Sequence, residues 1–137
     1  MRPTTIIHVE RARQVNSFHN LQVGRLGATD VDALIEYKDK GYIFIEIKYM
    51  EKQMPLGQRI ALERLVKDTG SNKLSIALVC EHWVTDTEKF VDVGNCYIRE
   101  IYTSTEKIWR PTKTVMTVKE LYALFRKQIE EGERQNE

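Results

Sequence analysis

Apolar and polar positions along this chain change period several times, and each change marks an element. Val31 to Tyr37 and Tyr42 to Tyr49 read as strands, the second rich in Ile and aromatics, the residues that fit a pleated surface. Its Ile43, Ile45 and Ile47 share one face and predict contact with a core. Lys38-Asp39-Lys40-Gly41 between the strands predicts a turn, with Gly41 free to take a positive φ. After Met54-Pro55-Leu56-Gly57 the period becomes helical over 56–69, with Leu56, Ile60, Ala61, Leu65 and Val66 recurring and Gly70 placed to cap the C-terminus. Leu74 to Cys80 is a continuous apolar run, as expected of a strand buried on both faces. Further strands are expected near 96–103 and 106–110. Thr117-Val118-Lys119-Glu120 is a capping box. It opens a last helix with Val118, Leu121, Leu124, Phe125 and Ile129 on one face. Residues 9–21 read as a helix or an irregular arm, and Gly24 and Gly27 mark a loop. The order β-β-α-β-β-β-α predicts an α/β domain, a mixed central sheet flanked by helices, over residues 1–137, with the polar end 131–137 fraying.

Composition narrows the class without naming a function. The 137 residues suffice for one core, and 42% hydrophobic with 30% charged content is ordinary for a globular domain. No run approaches the roughly 18 apolar residues that span a membrane. The start, Met-Arg-Pro-Thr-Thr-Ile-Ile-His, lacks a signal-peptide layout, so a cytoplasmic location is expected. Cys80 and Cys96 form no CxxC and have no His pair at zinc spacing, which suits reduced core thiols. The net charge of +1 leaves nucleic-acid binding to a local basic face.

The candidate chemistry lies on the two neighbouring strands. Glu46 and Lys48 are two apart on a strand and share a face; Asp30 and Asp32 share one as well. Whether Asp32 meets Glu46 depends on hairpin register. If Tyr37 pairs with Gly41 across a three-residue loop, Asp32 lies across from Glu46. If Tyr37 pairs with Tyr42, Asp32 faces Ile47 and the group falls apart. Burial favours the first register, since it puts Val31, Ala33 and Ile35 beside Ile43, Ile45 and Ile47, and a bulge at Gly41 would supply it. Two close carboxylates repel unless a divalent cation joins them. Mg²⁺ prefers oxygen ligands and keeps several waters, one of which can attack phosphorus. In that arrangement Asp32 and Glu46 hold the metal with the Ile47 carbonyl. Lys48 orients or deprotonates the water, or stabilises charge on the phosphate. Gln58, ten positions past Lys48, opens the next helix and can hold the water or a phosphate, while Lys52, Arg59 and Arg64 can track a nucleic-acid backbone.

With these residues the chain resembles the PD-(D/E)XK nuclease superfamily, the restriction-endonuclease-like fold, nearest to its small virus-type and Holliday-junction-resolvase-like members. Asp32 stands fourteen positions before Glu46-Ile47-Lys48, and Gln58 matches a glutamine that several branches carry after the lysine. The resemblance covers roughly residues 28–82. It implies metal-dependent DNA cleavage with Mg²⁺, Mn²⁺ substituting, a phage or mobile-element setting, and often a homodimer. Val31 stands where the family motif has proline, and Glu10 is the one candidate for the family's first-helix glutamate.

Other positions carry plainer expectations. His82 and Trp83 follow the buried strand and so lie at the sheet's end, with a structural role favoured for the histidine. His8 and His19 have no evident partner. Tyr97, Tyr102 and Trp109 are expected to pack a sheet, with base stacking as the alternative. Two rival readings stand beside the nuclease: a non-catalytic nucleic-acid- or protein-binding module on the same fold, and a subunit whose last helix docks elsewhere.

Overall fold

Seven elements follow in the expected order in a computed structural model of the chain, which describes Glu10 and residues 13–135. They are β1 (Ala33–Tyr37), β2 (Gly41–Tyr49), α1 (Leu56–Thr69), β3 (Leu74–His82), β4 (Tyr97–Thr103), β5 (Trp109–Arg110) and α2 (Val118–Gln135), with short 3-10 turns at His19–Leu21 and Val93–Asn95. The strands form one sheet in the order β1-β2-β3-β4-β5. Only β2 and β3 are parallel, and α1 makes the crossover between them. The fold is therefore α/β, a mixed sheet with a helix on each face. Among the described residues no helix is long and apolar enough to cross a membrane. Residues 15–18 are irregular and His19–Leu21 is a single 3-10 turn; Val9 and His8 lie outside the described residues.

Alternation along the strands divides the core in two. Ile43, Ile45, Ile76, Leu78, Cys80 and Ile98 face α2 and pack with Phe125 and Ile129. Phe44, Ala77, Val79 and Tyr102 face α1 and pack with Leu62 and Val66. β3 is buried on both faces because it lies between the two helices at the centre of the sheet.

The helical faces differ in part from the pattern expected. In α1 the buried residues are Gln58, Leu62 and Val66, one per turn, while Leu56 is 71% exposed and Leu65 lies at the margin. Leu62, absent from the expected stripe, is its centre. The face that seals the sheet thus carries Gln58 inward one turn before Leu62. In α2 the capping box forms: Glu120 Oε1 accepts from the Thr117 N–H at 3.1 Å, and Thr117 Oγ1 accepts from the Glu120 N–H at 3.3 Å. Those bonds hold the Glu120 carboxyl below its usual range. Val118, Phe125 and Ile129 are buried, but Leu124 falls outside the stripe and is half exposed. The helix runs to Gln135.

The hairpin turn also departs from expectation. Lys38 and Asp39, not Gly41, occupy the left-handed region, at φ 50° and 61°. Gly41 is buried at the start of β2, where a Cβ would run into the Leu74 carbonyl oxygen and the Phe125 ring. The glycine serves close approach, not turn conformation. No bulge is needed there, because the loop itself supplies the register: Lys40 N–H bonds the Tyr37 carbonyl at 2.8 Å, and Glu36 accepts from the Asp39 N–H at 2.6 Å. Asp39 pairs with Lys73, which holds its carboxyl below the ordinary value and ties the turn to the start of β3.

Candidate active site

The hairpin takes the register that unites the acidic residues. Tyr37 pairs with Gly41 and Ala33 with Ile45, so the next step outward sets Asp32 across from Glu46. The β1 ladder ends at Ala33, and the Asp32 side chain takes over its pairing: Oδ2 accepts the Ile47 N–H at 2.7 Å. A residue's N–H and C=O leave a strand on the same side, so the Ile47 carbonyl also lies on this edge of β2.

Glu46 is the unusual group. It is only 3% exposed, under the N-terminal part of α1. Its Oε1 receives Lys48 Nζ at 3.2 Å, while Oε2 is buried with no hydrogen-bond partner among the described residues. Burial, first, and the nearby Asp32 carboxylate, second, push its pKa up to about 7; Lys48 and Gln58 act in the opposite sense. A carboxylate left with an empty oxygen in the interior is costly unless protonated or joined by a cation.

Gln58 completes the group. Its Oε1 accepts from Lys48 Nζ at 3.3 Å, and its Nε2 donates to the Asp30 carbonyl at 3.3 Å. A cation on one side and a carbonyl on the other fix which way the amide faces. Asp30 therefore contributes its main chain. In this way α1, β2 and the segment before β1 are tied together at the end of β2.

These residues fit a divalent cation. The donor set is two carboxylates and a carbonyl, all hard oxygens, and the unpartnered Glu46 Oε2 is a vacant donor on the group. Among the described residues no three His, Cys, Asp or Glu side chains converge, so such an ion would keep waters in its remaining positions, as Mg²⁺ does.

The basic residues expected to track a backbone separate. Arg59 pairs with Glu100 at 3.1 Å and lies over the Trp109 ring at 4.8 Å, on the β4–β5 side of the helix. Lys52 is exposed on the loop leaving β2. Arg64 lines a cavity between α1 and β4. His82 has a structural part: its ring packs on Tyr49 at 5.3 Å and its Nδ1 accepts the Val84 N–H at 3.2 Å. Trp83 and Tyr97, 56% and 55% exposed, edge a separate cleft, whereas Tyr102 is buried against Trp109. Glu10 is exposed. Cys80 and Cys96 are buried free thiols, and burial pushes Cys80 up to about 12.

One residue escaped the sequence reading. Val79 pairs with Glu100 but Cys80 pairs with Ile98, so Arg99 is the extra residue of a β-bulge. The bulge aims its guanidinium at Glu81 Oε2 (2.9 Å) and at the carbonyls of Met50 and Lys52 (2.6 Å each). Arg99 thereby clamps the loop between Lys48 and Gln58, including Met50 at φ 53°. No local signal ties it to residues 47 and 49 positions away. No protein-family model matches the chain, and neither a curated protein nor a solved structure matches it.

Proposed function

We propose that this chain is a Mg²⁺-dependent DNA endonuclease of PD-(D/E)XK type, hydrolysing phosphodiester bonds. The observation that carries the reading is the buried Glu46 carboxylate, with one oxygen unpartnered, held between Asp32 and Lys48. Asp32, Glu46 and the Ile47 carbonyl would hold the cation. The chemistry supplied with Mg²⁺ bound, or Mn²⁺ in its stead, is a water of lowered pKa and charge compensation at phosphorus. Lys48 presents an ammonium on the same face, able to stabilise negative charge on the phosphate or orient the water. Gln58 holds that ammonium through Oε1 and so limits where it can go. Glu46 must lose its proton to act as a ligand, so protons compete with the cation there and activity should fall as pH is lowered, less steeply at higher Mg²⁺. Exposed Lys52, on the loop between Lys48 and Gln58, would contact the backbone of a bound strand.

The test is cleavage of plasmid, single-stranded and four-way-junction DNA with Mg²⁺, Mn²⁺ or EDTA, in wild type, Asp32→Ala and Lys48→Ala. Metal-dependent cutting is expected, falling at least about a hundredfold in each variant. Undiminished cutting by folded Lys48→Ala would remove Lys48 from the mechanism. The second reading, a non-catalytic nucleic-acid-binding module, is favoured by the Lys48–Glu46 ion pair, which already offsets part of the site's charge. It predicts salt-dependent DNA binding in EDTA and no cleavage.

A further inference from the structure

A second concentration of charge lies away from the carboxylates. Arg64 and Lys67, one turn apart on the outer flank of α1, and Lys107, from the β4–β5 turn, border a cavity of about 340 Å³. All three are exposed, and none has a side-chain hydrogen bond or ion pair among the described residues. Three neighbouring cations without a partner repel one another and attract an anion. The placement of Lys107 is built into the turn. Its N–H bonds the Thr103 carbonyl at 2.9 Å, and its φ of 58° is a left-handed conformation that a lysine seldom takes. The cavity's floor is not charged: Ile60 and Tyr102 form it, with Tyr102 backed by the Trp109 ring at 5.4 Å. One carboxylate, Glu63, also lines it.

Three cations against one carboxylate leave a local charge of about +2, the complement of a phosphate monoester, which carries about −1.5 to −2 at neutral pH. A volume of about 340 Å³ with an apolar floor admits a ring and a sugar beside that phosphate. We infer that this cavity is a binding site for a nucleotide phosphomonoester, with the phosphate on Arg64, Lys67 and Lys107 and the nucleoside over Ile60 and Tyr102. Two sources share this chemistry: a free nucleoside monophosphate, and the 5′-phosphorylated end of a strand. The site uses none of Asp32, Glu46, Lys48 or Gln58, so it does not depend on the nuclease reading.

The experiment is a calorimetric titration in EDTA, where cleavage cannot intervene, with thymidine, thymidine 5′-monophosphate, and a short oligothymidylate with and without a 5′-phosphate. Saturable binding of the monophosphate or of the phosphorylated strand is expected, with thymidine and the unphosphorylated strand much weaker. A preference for the monophosphate identifies a free nucleotide; a preference for the phosphorylated strand identifies a strand end. Arg64→Glu with Lys67→Glu, on an exposed helix flank, should keep the circular dichroism and melting temperature of wild type and lose about a hundredfold in affinity. Lys107→Asn, whose side chain tolerates the left-handed backbone, should lose about tenfold. The inference is overturned by no saturable binding of any phosphorylated probe, by equal affinity for thymidine and its monophosphate, or by undiminished affinity in the double variant.

Discussion

The two faces of the sheet are built from alternate residues of the same strands and serve opposite ends. On the α2 side, Ile43 and Ile45 meet Ile76, Leu78, Phe125 and Ile129, and the contact is apolar throughout. On the α1 side, Phe44 begins in the same manner against Leu62 and Val66, but the next two inward positions of β2 are Glu46 and Lys48. One face gains stability from every buried side chain. The other gives some up at its end, where a carboxylate sits almost fully buried with an unpartnered oxygen. Among the described residues Glu46 is the one buried carboxylate, and it stands where α1 begins.

The contrast can be broken from either side. The largest effect is expected on the apolar face: Phe125→Ala should cost about 3–5 kcal/mol in urea unfolding, because the ring fills space against Gly41 and the sheet. A loss under about 1 kcal/mol would mean that α2 is not a core helix.

Next comes Glu46→Gln, with a distinctive pH dependence. The folded carboxyl has a pKa of about 7 against an ordinary 4.5, so the native state holds this proton more tightly than the unfolded chain does. Stability from this group is complete below about pH 4.5 and is lost as pH rises through about 7. In EDTA the glutamine variant should therefore be more stable than wild type above pH 7, by up to about 3 kcal/mol, with the gain fading towards pH 4.5. Denaturation at a series of pH values decides it; a constant difference across the range would contradict the buried, raised carboxyl.

Smaller effects lie farther from the division. Thr117→Ala removes the capping box and should cost about 1 kcal/mol by thermal melting. Arg13→Ala breaks an exposed pair with Glu88 and should change stability by less than about 0.5 kcal/mol. A larger loss from Arg13 would show that the N-terminal segment is held to the domain more firmly than one exposed pair implies.

Much of the fold was legible because its signals are local. The helix over 56–69 ends where Gly70 stands, the capping box opens α2, and period-two alternation marks β2. The candidate site was legible as residue types at a spacing. What misled was also local: Gly41 suggested a positive φ, yet two neighbours take it and the glycine answers to Phe125, far along the chain. Likewise five apolar residues of α1 suggested a stripe that omitted Leu62, because helical spacing alone does not say which side the sheet will cover.

By itself, then, the sequence determined the elements, their order and the pairing of Glu46 with Lys48 on one strand face, since these follow from side-chain period and turn chemistry within a few residues. Only the tertiary structure decided that Asp32 stands across from Glu46, that Gln58 turns inward, that Arg99 holds the intervening loop, and that one Glu46 oxygen is left without a partner. The physical reason is that register and burial belong to pairs of elements. A one-residue slip in the hairpin, or a rotation of α1 about its axis, would leave every local signal unchanged and disperse the site.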